Sequence, residues 1–465
     1  MKLPEKLNSL YDIYLQSRHV VTDSRAVTQG CIFFAFRGQT FDANAFVPQA
    51  LETGAAACVT TDAKYATDPR CFVVDDVLST LQNLARLHRS HLDIPVVAIT
   101  GTNGKTTTKE LTHAVLSRRY RTHATQGNLN NHIGVPLTLL ATPADAEIVI
   151  VEMGASHPGE IEDLCAIASP DYGLITNCGT AHLEGFGSKE GVFRTKTELY
   201  RHLKVVGGTI FVSADDQRLL AEAELLAQSA TLNSMLPAYM PDIPLATPSN
   251  GLTLVTYGSN PEAQTTGTLV DSNPYMKFYF EDGDHVYTVQ SQLVGSYNFA
   301  NAMAAVCIGQ YFGVDLFDIK EAIEQYAPGN NRSQFRRTAN NALILDCYNA
   351  NPTSMELALN NFANFSAPNR WVVLGGMKEL GRDSEREHRR IYNQLATLRF
   401  DHNVLIGPEF APAAEGRWGD PLPAMQWFAD SDQALAALAS QNVRGATVLL
   451  KGSNSSRVGM VEKAF

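Results

Sequence analysis

The 465-residue sequence lacks several features that would assign it to a large class of proteins. It has no apolar run long enough to span a bilayer, and no apolar stretch of the kind found in signal peptides follows Met1. Its seven cysteines form no Cys-x-x-Cys pair, which disfavours a zinc site or a disulfide framework. We therefore predict a cytoplasmic protein with reduced thiols and no membrane partner.

Positive charge is also scarce. The chain has 37 lysines and arginines against 48 aspartates and glutamates, a formal net charge of −11. Proteins that bind nucleic acid usually have clustered basic residues, so we predict no nucleic-acid partner. The composition is otherwise that of a globular protein, and at about 150 residues per domain the length predicts three domains.

The most informative segment is a glycine-containing turn between a predicted strand over residues 96–99 and a helix predicted to begin at Lys105. Backbone N–H groups at such a turn point at phosphate oxygens. Lys105 is then placed to reach the outer phosphates, and the Thr106 hydroxyl to bind Mg2+. The usual pattern has a glycine where this chain has Ile99, so the loop is shorter, and the competing interpretation is a plain strand-to-helix turn. We predict that a nucleoside triphosphate binds Gly101, Thr102, Asn103, Gly104, Lys105, Thr106 and Thr107.

Strands alternate with helices along most of the chain, which predicts an α/β fold with mostly parallel sheets. We divide the chain into a small N-terminal unit (residues 1–85), a central unit with the glycine loop (86–326) and a C-terminal, Rossmann-like unit (327–465). The pattern also predicts a β-hairpin over residues 277–289 and a helical pattern over residues 189–203.

Several polar side chains follow predicted strands, where α/β proteins place their ligands. Glu152 is placed to complete a Mg2+ shell with Thr106, although a lone glutamate at a strand end more often faces solvent. His182 is a candidate metal ligand or phosphate contact, but a lone loop histidine usually has neither role. Asp346 precedes Tyr348-Asn349-Ala350-Asn351-Pro352, which is also typical of a strand-to-helix loop with asparagine turn residues.

Two further features have competing interpretations. Lys196 lies in a predicted helix and, taken alone, is a surface lysine. Asn128, Asn130 and Asn131 crowd a single turn, which indicates either capping of backbone groups by their side chains or recognition of a peptide.

Together these motifs resemble those of the Mur ligases and the related folylpolyglutamate synthases. The resemblance extends over nearly the whole chain, and the short glycine loop is typical of these amide ligases. The segments that carry it are Thr22-Asp23-Ser24-Arg25, Thr100-Gly101-Thr102-Asn103-Gly104-Lys105-Thr106-Thr107, Gly127-Asn128-Leu129-Asn130-Asn131, Ile133-Gly134-Val135-Pro136, His182-Leu183-Glu184-Gly185-Phe186-Gly187-Ser188, Thr195-Lys196 and Tyr348-Asn349-Ala350-Asn351-Pro352.

The resemblance implies a three-domain enzyme that forms an amide bond in peptidoglycan precursor synthesis. The N-terminal unit would bind the UDP end of UDP-N-acetylmuramoyl-tripeptide, the central unit would bind ATP, and the C-terminal unit would close over D-alanyl-D-alanine. ATP would phosphorylate the terminal carboxylate of the tripeptide, and the dipeptide amine would then attack the acyl phosphate. The implied cofactors are ATP and Mg2+, and we expect a monomer.

The resemblance also implies roles for individual residues. Lys105, His182 and Lys196 match catalytic positions, and the metal-binding positions match Thr106, Glu152, His182 and Lys196. Lys196 matches a lysine that the family carbamylates with CO2; because only a neutral amine captures CO2, the site must lower the pKa of this lysine. Further ATP contacts are expected from Asn298, Asn301, Arg332 and Asp346. Substrate contacts are expected from Ser24, Arg25, Asn128, Asn130, Asn131, Tyr348, Asn349 and Asn351.

The C-terminal unit departs from the usual family pattern. Leu374-Gly375-Gly376-Met377 replaces Leu-Gly-Asp-Met and so lacks a carboxylate, and the chain departs from the pattern again after Lys451-Gly452-Ser453. One alternative is another ligase of the superfamily, either a folylpolyglutamate synthase or the ligase that adds the third peptide residue, whose Asp-Asn-Pro-Arg tetrad is absent here. A second alternative is a nucleotide-dependent binding protein without ligase activity. The third residue of the tripeptide, meso-diaminopimelate or lysine, also stays open.

Overall fold

A computed structural model of the chain describes residues 3–38, 40–229, 251–283, 285–329 and 332–465. In these residues the chain forms three sheets that follow one another along the sequence. Most neighbouring strands are parallel and are connected by helices, which confirms the predicted three-domain α/β fold. No helix in the described residues is both long and apolar enough to cross a membrane.

The N-terminal sheet has four parallel strands in chain order: β1 (Val20–Val21), β2 (Ile32–Phe34), β3 (Ala57–Thr60) and β4 (Cys71–Val73). Its helices are α1 (Leu3–Ser17), α2 (Val47–Glu52) and α3 (Val77–Ser90). The sequence analysis missed α1, although Leu7, Leu10 and Tyr14 recur at helical spacing. These side chains are buried, and the Tyr14 ring meets His88 of α3 edge-on.

The central sheet has nine strands: β5 (Val96–Thr100), β6 (Thr122–Ala124), β7 (Ile148–Glu152), β8 (Tyr172–Ile175), β9 (Thr209–Ser213), β10 (Thr253–Gly258), β11 (Thr265–Asp271), β12 (Lys277–Asp282) and β13 (His285–Gln290). Their spatial order is β13-β12-β11-β10-β9-β8-β5-β7-β6. The predicted hairpin is confirmed as the antiparallel pair β12–β13, whose turn residue Asp284 lies outside the described residues. β5, β7 and β9 are buried along their whole length, as expected of strands covered on both faces.

The helices of the central unit are α4 (Lys105–Leu116), α5 (Gly134–Leu140), α6 (Glu160–Ala168), α7 (Leu183–Phe186), α8 (Lys189–Lys196), α9 (Glu198–Val206), α10 (Gln217–Gln228), α11 (Asn298–Tyr311) and α12 (Leu316–Gln325). The predicted helical pattern over residues 189–203 is confirmed except at Thr197, where the chain breaks between α8 and α9. The Thr197 hydroxyl donates a hydrogen bond to the Phe193 carbonyl (3.0 Å), a local bond that bends helices.

The C-terminal sheet has six strands: β14 (Gln334–Arg337), β15 (Ala342–Asp346), β16 (Arg370–Gly375), β17 (His402–Ile406), β18 (Met425–Phe428) and β19 (Thr447–Lys451). Their order is β14-β15-β19-β16-β17-β18, and every neighbouring pair except β14–β15 is parallel. The helices are α13 (Pro352–Ala363), α14 (Ser384–Leu398), α15 (Ala411–Ala414) and α16 (Ser431–Gln441). The predicted Rossmann-like alternation is confirmed, and the carboxyl ends of β15, β16 and β19 lead into one cleft.

Candidate active site between the central and C-terminal units

The glycine loop joins β5 to α4 in a conformation that its two glycines make possible. Gly101 and Gly104 have φ angles of +140° and +82°, which residues with a side chain rarely adopt. A Cβ atom at Gly101 would overlap the Thr176 hydroxyl, and one at Gly104 would overlap the Asn301 amide. Both glycines therefore let the backbone pass close to its neighbours while the first turn of α4 stays open to the cleft.

The side chain of Lys105 folds back over this loop. Its ammonium donates hydrogen bonds to the carbonyls of Gly101 (2.7 Å) and Thr102 (3.1 Å), and burial lowers its pKa. A cation held at the mouth of a helix N-terminus suits a bound anion, and the loop backbone and Lys105 together fit a polyphosphate.

Thr106 and Glu152 are brought together as predicted. The Thr106 hydroxyl donates to one carboxylate oxygen of Glu152 (2.8 Å), and the amide of Asn130 donates to the other (2.7 Å). Glu152 is buried at the end of β7. The hydroxyl and carboxylate oxygens are of the kind that Mg2+ prefers, so these residues fit the ion. Described His, Cys, Asp and Glu side chains form no group of three that could hold a metal, so further ligands would come from water, phosphate or other groups.

The asparagine turn before α5 caps its own backbone and lies at the cleft. Asn131 caps the backbone, since its side chain accepts hydrogen bonds from the N–H groups of Ile133 (3.1 Å) and Gly134 (2.9 Å). Asn128 and Asn130 line the cleft together with Asn131. The turn is thus held by its own side chains at the edge of the site.

Asn298 and Asn301 lie at the start of α11, behind the glycine loop. Asn301 donates to the Asn298 side chain (2.9 Å) and accepts from the Thr108 hydroxyl of α4 (3.1 Å). Both asparagines are buried and line the cleft. This amide pair therefore ties α11 to the helix that follows the glycine loop.

Lys196 is not a surface residue. It is only 2% exposed at the end of α8, and its ammonium lies 5.6 Å from the Phe186 ring centre. No hydrogen-bond acceptor among the described residues contacts this ammonium. Burial, helped by the charge of Lys105, lowers the pKa of Lys196 to about 7. A buried lysine that is largely neutral near physiological pH is the state that the carbamylation hypothesis requires.

His182 joins the two units. It has a left-handed backbone conformation (φ +49°) just before α7, and its imidazole contacts the Glu379 carboxylate of the C-terminal unit. Burial, together with the charges of Lys105 and Lys196, lowers the pKa of His182 although Glu379 raises it. The side chain thus lies where the glycine loop, Lys196 and the C-terminal unit approach one another.

On the C-terminal side, charged and aromatic groups line the opposite surface. The buried ammonium of Lys451 pairs with Asp346 (2.7 Å), and the Arg332 guanidinium lies 3.6 Å from the Tyr348 ring centre. Asn351 caps α13 by accepting a hydrogen bond from Ser354 N (2.9 Å). Its amide also donates to Asn103 of the glycine loop (2.7 Å).

These surfaces enclose a cleft of about 920 Å³. We call Gly101–Thr107 (residues 101–107), Glu152, His182 and Lys196 the central wall, and Arg332, Asp346, Tyr348, Asn351 and Glu379 the C-terminal wall. Most predicted site residues line the cleft directly: Thr102, Asn103, Gly104, Lys105, Thr106, Thr107, Asn128, Asn130, Asn131, Glu152, His182, Asn298, Asn301, Arg332, Asp346, Tyr348 and Asn349.

Five predicted site residues lie outside this lining. Gly101 accepts a hydrogen bond from Lys105 and Asn351 donates one to Asn103, whereas Lys196 is buried beside Phe186. Ser24 and Arg25 lie on an exposed turn of the N-terminal unit, where Arg25 pairs with Asp23. The sequence analysis missed Tyr297, Ser333, Glu379 and Lys451, which also line the cleft. The position of Lys451 at the end of a predicted strand could have identified it, since that is where α/β proteins place ligands.

Comparison with known proteins agrees with this arrangement. The sequence matches the Mur ligase middle domain over residues 99–309 and the Mur ligase glutamate ligase domain over residues 331–454. A UDP-N-acetylmuramoyl-tripeptide–D-alanyl-D-alanine ligase from Bacillus subtilis (strain 168) is 32% identical, covering 96% of this chain and 92% of the relative.

Two solved structures are similar over nearly their whole length. MurF from Acinetobacter baumannii is 30% identical with a TM-score of 0.81, covering 96% of this chain and 92% of that one. MurF ligase from Thermotoga maritima, solved in complex with ADP, is 28% identical with a TM-score of 0.80 and covers 98% of each chain. The fold and the glycine-loop cleft define an ATP-dependent ligase architecture. The chain belongs to the Mur ligase family.

Proposed function

We propose that this protein joins D-alanyl-D-alanine to the terminal carboxylate of UDP-N-acetylmuramoyl-tripeptide, with ATP, in the synthesis of peptidoglycan precursors. The observation that carries the proposal is that the glycine loop and the Tyr348-Asn349-Ala350-Asn351-Pro352 segment meet in one cleft, through the Asn103–Asn351 hydrogen bond. The chain is also 32% identical, over most of its length, to ligases named for this reaction.

The proposed reaction requires the site to activate a carboxylate. A carboxylate accepts an amine poorly until phosphate becomes its leaving group, so an acyl phosphate has to form first. Phosphoryl transfer depends mainly on positioning and on charge stabilisation. In our proposal Lys105 and the backbone of residues 101–107 hold the phosphates. Asn298, Asn301, Arg332 and Asp346 hold the rest of the nucleotide.

Thr106, Glu152, His182 and Lys196 form our proposed metal-binding set, with Lys196 as its CO2-derived carbamate. Bound Mg2+ would neutralise negative charge on the transferring phosphoryl group. The support from this chain is the Thr106–Glu152 contact and the lowered pKa of Lys196, which keeps a neutral amine available for CO2. Lys105, His182 and Lys196 are then the catalytic residues of the central wall.

The remaining assignments follow the same architecture. We propose that Ser24 and Arg25 contact the UDP end, that Asn128, Asn130 and Asn131 contact the tripeptide, and that Tyr348, Asn349 and Asn351 serve the dipeptide side. Domain limits of 1–85, 86–326 and 327–465 are proposed with them. A monomeric, cytoplasmic enzyme without nucleic-acid or membrane partners completes the proposal.

Release of inorganic phosphate from ATP tests the function. We expect release with Mg2+ to require both UDP-N-acetylmuramoyl-tripeptide and D-alanyl-D-alanine, with the amide product formed in equal amount. ATP binding without such release would instead favour the non-catalytic alternative. Release that depends on a different acceptor, such as a folate and glutamate, would favour another ligase of the superfamily.

A further inference from the structure

Glu379 is a site residue without an assigned role. It follows β16 in the loop that leads to α14, and its side chain crosses the cleft to pair with His182. Its backbone is in the left-handed region (φ +62°), which is uncommon for a residue with a side chain. Residues in such uncommon backbone conformations cluster at functional sites, where the surrounding structure holds them in place.

The loop that carries Glu379 is seated on the central unit. Gly381, two residues further on, has φ +50°, and a Cβ atom there would lie 3.4 Å from the Cβ atom of Glu184 in α7. The helix α7 begins directly after His182. Glu379 is thus placed against the central wall by its own contact with His182 and by the close approach of Gly381 to α7.

The charge of Glu379 is also available. Two carboxylates of the C-terminal unit line the cleft, Asp346 and Glu379. Asp346 is paired with the ammonium of Lys451. Glu379 contacts no lysine or arginine among the described residues; its side chain is 62% exposed and is among those that line the cleft. It is therefore a carboxylate on the C-terminal wall that can still receive a cationic ligand.

We propose that Glu379 binds the ammonium group of the incoming D-alanyl-D-alanine. This inference rests on the proposed function, in which the nucleophile enters from the C-terminal unit. The carboxylate holds the nitrogen beside His182, at the boundary with the central wall, where the activated carboxyl group of the other substrate is expected. Glu379 is then a substrate-binding residue that recognises the protonated amine of the dipeptide, and this ammonium releases a proton to solvent before its neutral nitrogen attacks the acyl phosphate and phosphate leaves.

The test separates amine binding from carboxylate activation. Hydroxylamine is uncharged at neutral pH and traps an acyl phosphate as the hydroxamate, since its nitrogen attacks the carbonyl carbon and phosphate leaves. It therefore needs no ammonium site. We would measure hydroxamate formation and dipeptide ligation with Glu379→Gln, Glu379→Asp and wild-type protein. Glu385→Gln, an exposed glutamate at the start of α14, is the matched control.

We expect Glu379→Gln to lower kcat/KM for D-alanyl-D-alanine by roughly 10- to 100-fold, mainly through KM, because it loses one charge-assisted hydrogen bond. Hydroxamate formation and the KM for ATP should change less than about threefold, and Glu379→Asp should recover part of the loss. Equal losses in both assays, an unchanged KM for the dipeptide, or no advantage of Asp over Gln would overturn the inference. Failure of the proposed function would be seen separately, as wild-type protein that does not respond to D-alanyl-D-alanine.

Discussion

The two walls of the cleft differ in where their polar groups find partners. In the central wall the partners lie within the same unit: Lys105 bonds to the loop carbonyls, and Thr106 bonds to Glu152. In the C-terminal wall two side chains reach across the cleft, Asn351 to Asn103 and Glu379 to His182. The phosphate site is therefore organised mainly within the central unit, with the Asn103–Asn351 bond added from across the cleft, whereas the site for joining two substrates exists only when the units meet.

This difference assigns separate tasks to the walls. A preorganised central wall can stabilise charge without rearranging, which is the larger contribution to many enzymatic rates. A C-terminal wall that depends on contacts across the cleft suits a unit that closes after substrates bind. Changes in the central wall should consequently abolish activation of the carboxylate, and changes in the C-terminal wall should weaken binding and closure.

The largest effect is expected for Lys196→Ala in the central wall. It removes the proposed carbamate, and we expect kcat to fall by about 100- to 1,000-fold, the range seen when one charge-stabilising group is lost. Phosphate release with both substrates measures this loss. Lys189→Ala, an exposed lysine at the start of the same helix, is the control and should retain activity. A Lys196→Ala variant of near-normal activity would exclude the carbamate.

The pH dependence of the carbamate gives a second, independent test of the role proposed for Lys196 in the central wall. The pKa of Lys196 is lowered to about 7, so the amine is neutral above that pH and protonated below it. We expect the carbamate signal in a ¹³C spectrum recorded with labelled bicarbonate to decline as the pH falls through about 7. A signal that is already lost as the pH falls through about 10, the ordinary range of a lysine, would contradict the lowered pKa.

Gly104→Ala tests whether the use of ATP depends on the backbone conformation of the glycine loop in the central wall. The new Cβ atom would overlap the Asn301 amide at a left-handed position, so the loop must shift. We expect kcat/KM for ATP to fall by about 100-fold, as for a displacement of about 1 Å in a catalytic site. Gly416→Ala is the matched control, because its φ is +71° but nothing lies within 4 Å of the new atom. It should cost only about 1–2 kcal/mol of stability and leave the KM for ATP unchanged.

The sequence made the central wall easier to predict than the C-terminal wall. The glycine loop is a local pattern, so Lys105 and Thr106 could be placed from neighbouring residues alone. The burial of Lys196 could not be predicted in this way, because a helical pattern does not show what covers each face of the helix. Only the family resemblance indicated the role of Lys196. Glu379 had no local motif at all, and its partner His182 belongs to another unit. The helix α1 was missed because the helical spacing of its apolar residues was overlooked. The break at Thr197 was missed because it depends on a hydrogen bond from the Thr197 hydroxyl to the backbone.

A smaller effect is expected where the C-terminal unit departs from the family pattern. A Cβ atom at Gly376 would overlap the carboxylate of Glu409, which pairs with Lys378 and has one buried oxygen without a partner. Glu409 thus occupies the space of the aspartate that the usual Leu-Gly-Asp-Met motif has here. We expect Gly376→Asp alone to lower the free energy of unfolding by about 1–3 kcal/mol.

The free energy of unfolding of the double variant Gly376→Asp with Glu409→Ala should exceed, by about 1 kcal/mol or more, the value expected from the sum of the two single effects. Denaturant unfolding of the four proteins in this cycle measures the coupling. Strictly additive effects would show that Glu409 does not take the place of the missing aspartate.

The smallest effect concerns the bond that joins the walls. Asn351→Ser keeps an oxygen that can cap α13 but is too short to reach Asn103, so it removes the contact across the cleft and keeps the helix start. One neutral hydrogen bond contributes about 1 kcal/mol, so we expect the KM for ATP to rise about fivefold with little change in thermal stability. Asn351→Ala loses the cap as well and should also unfold more easily, by about 1 kcal/mol. If Asn351→Ser left the KM for ATP unchanged, the phosphate loop would be insensitive to this bond, and the dependence of the joint site on contacts between the units would have to rest on others, such as Glu379 with His182 and Thr180 N with the Thr353 hydroxyl (3.0 Å).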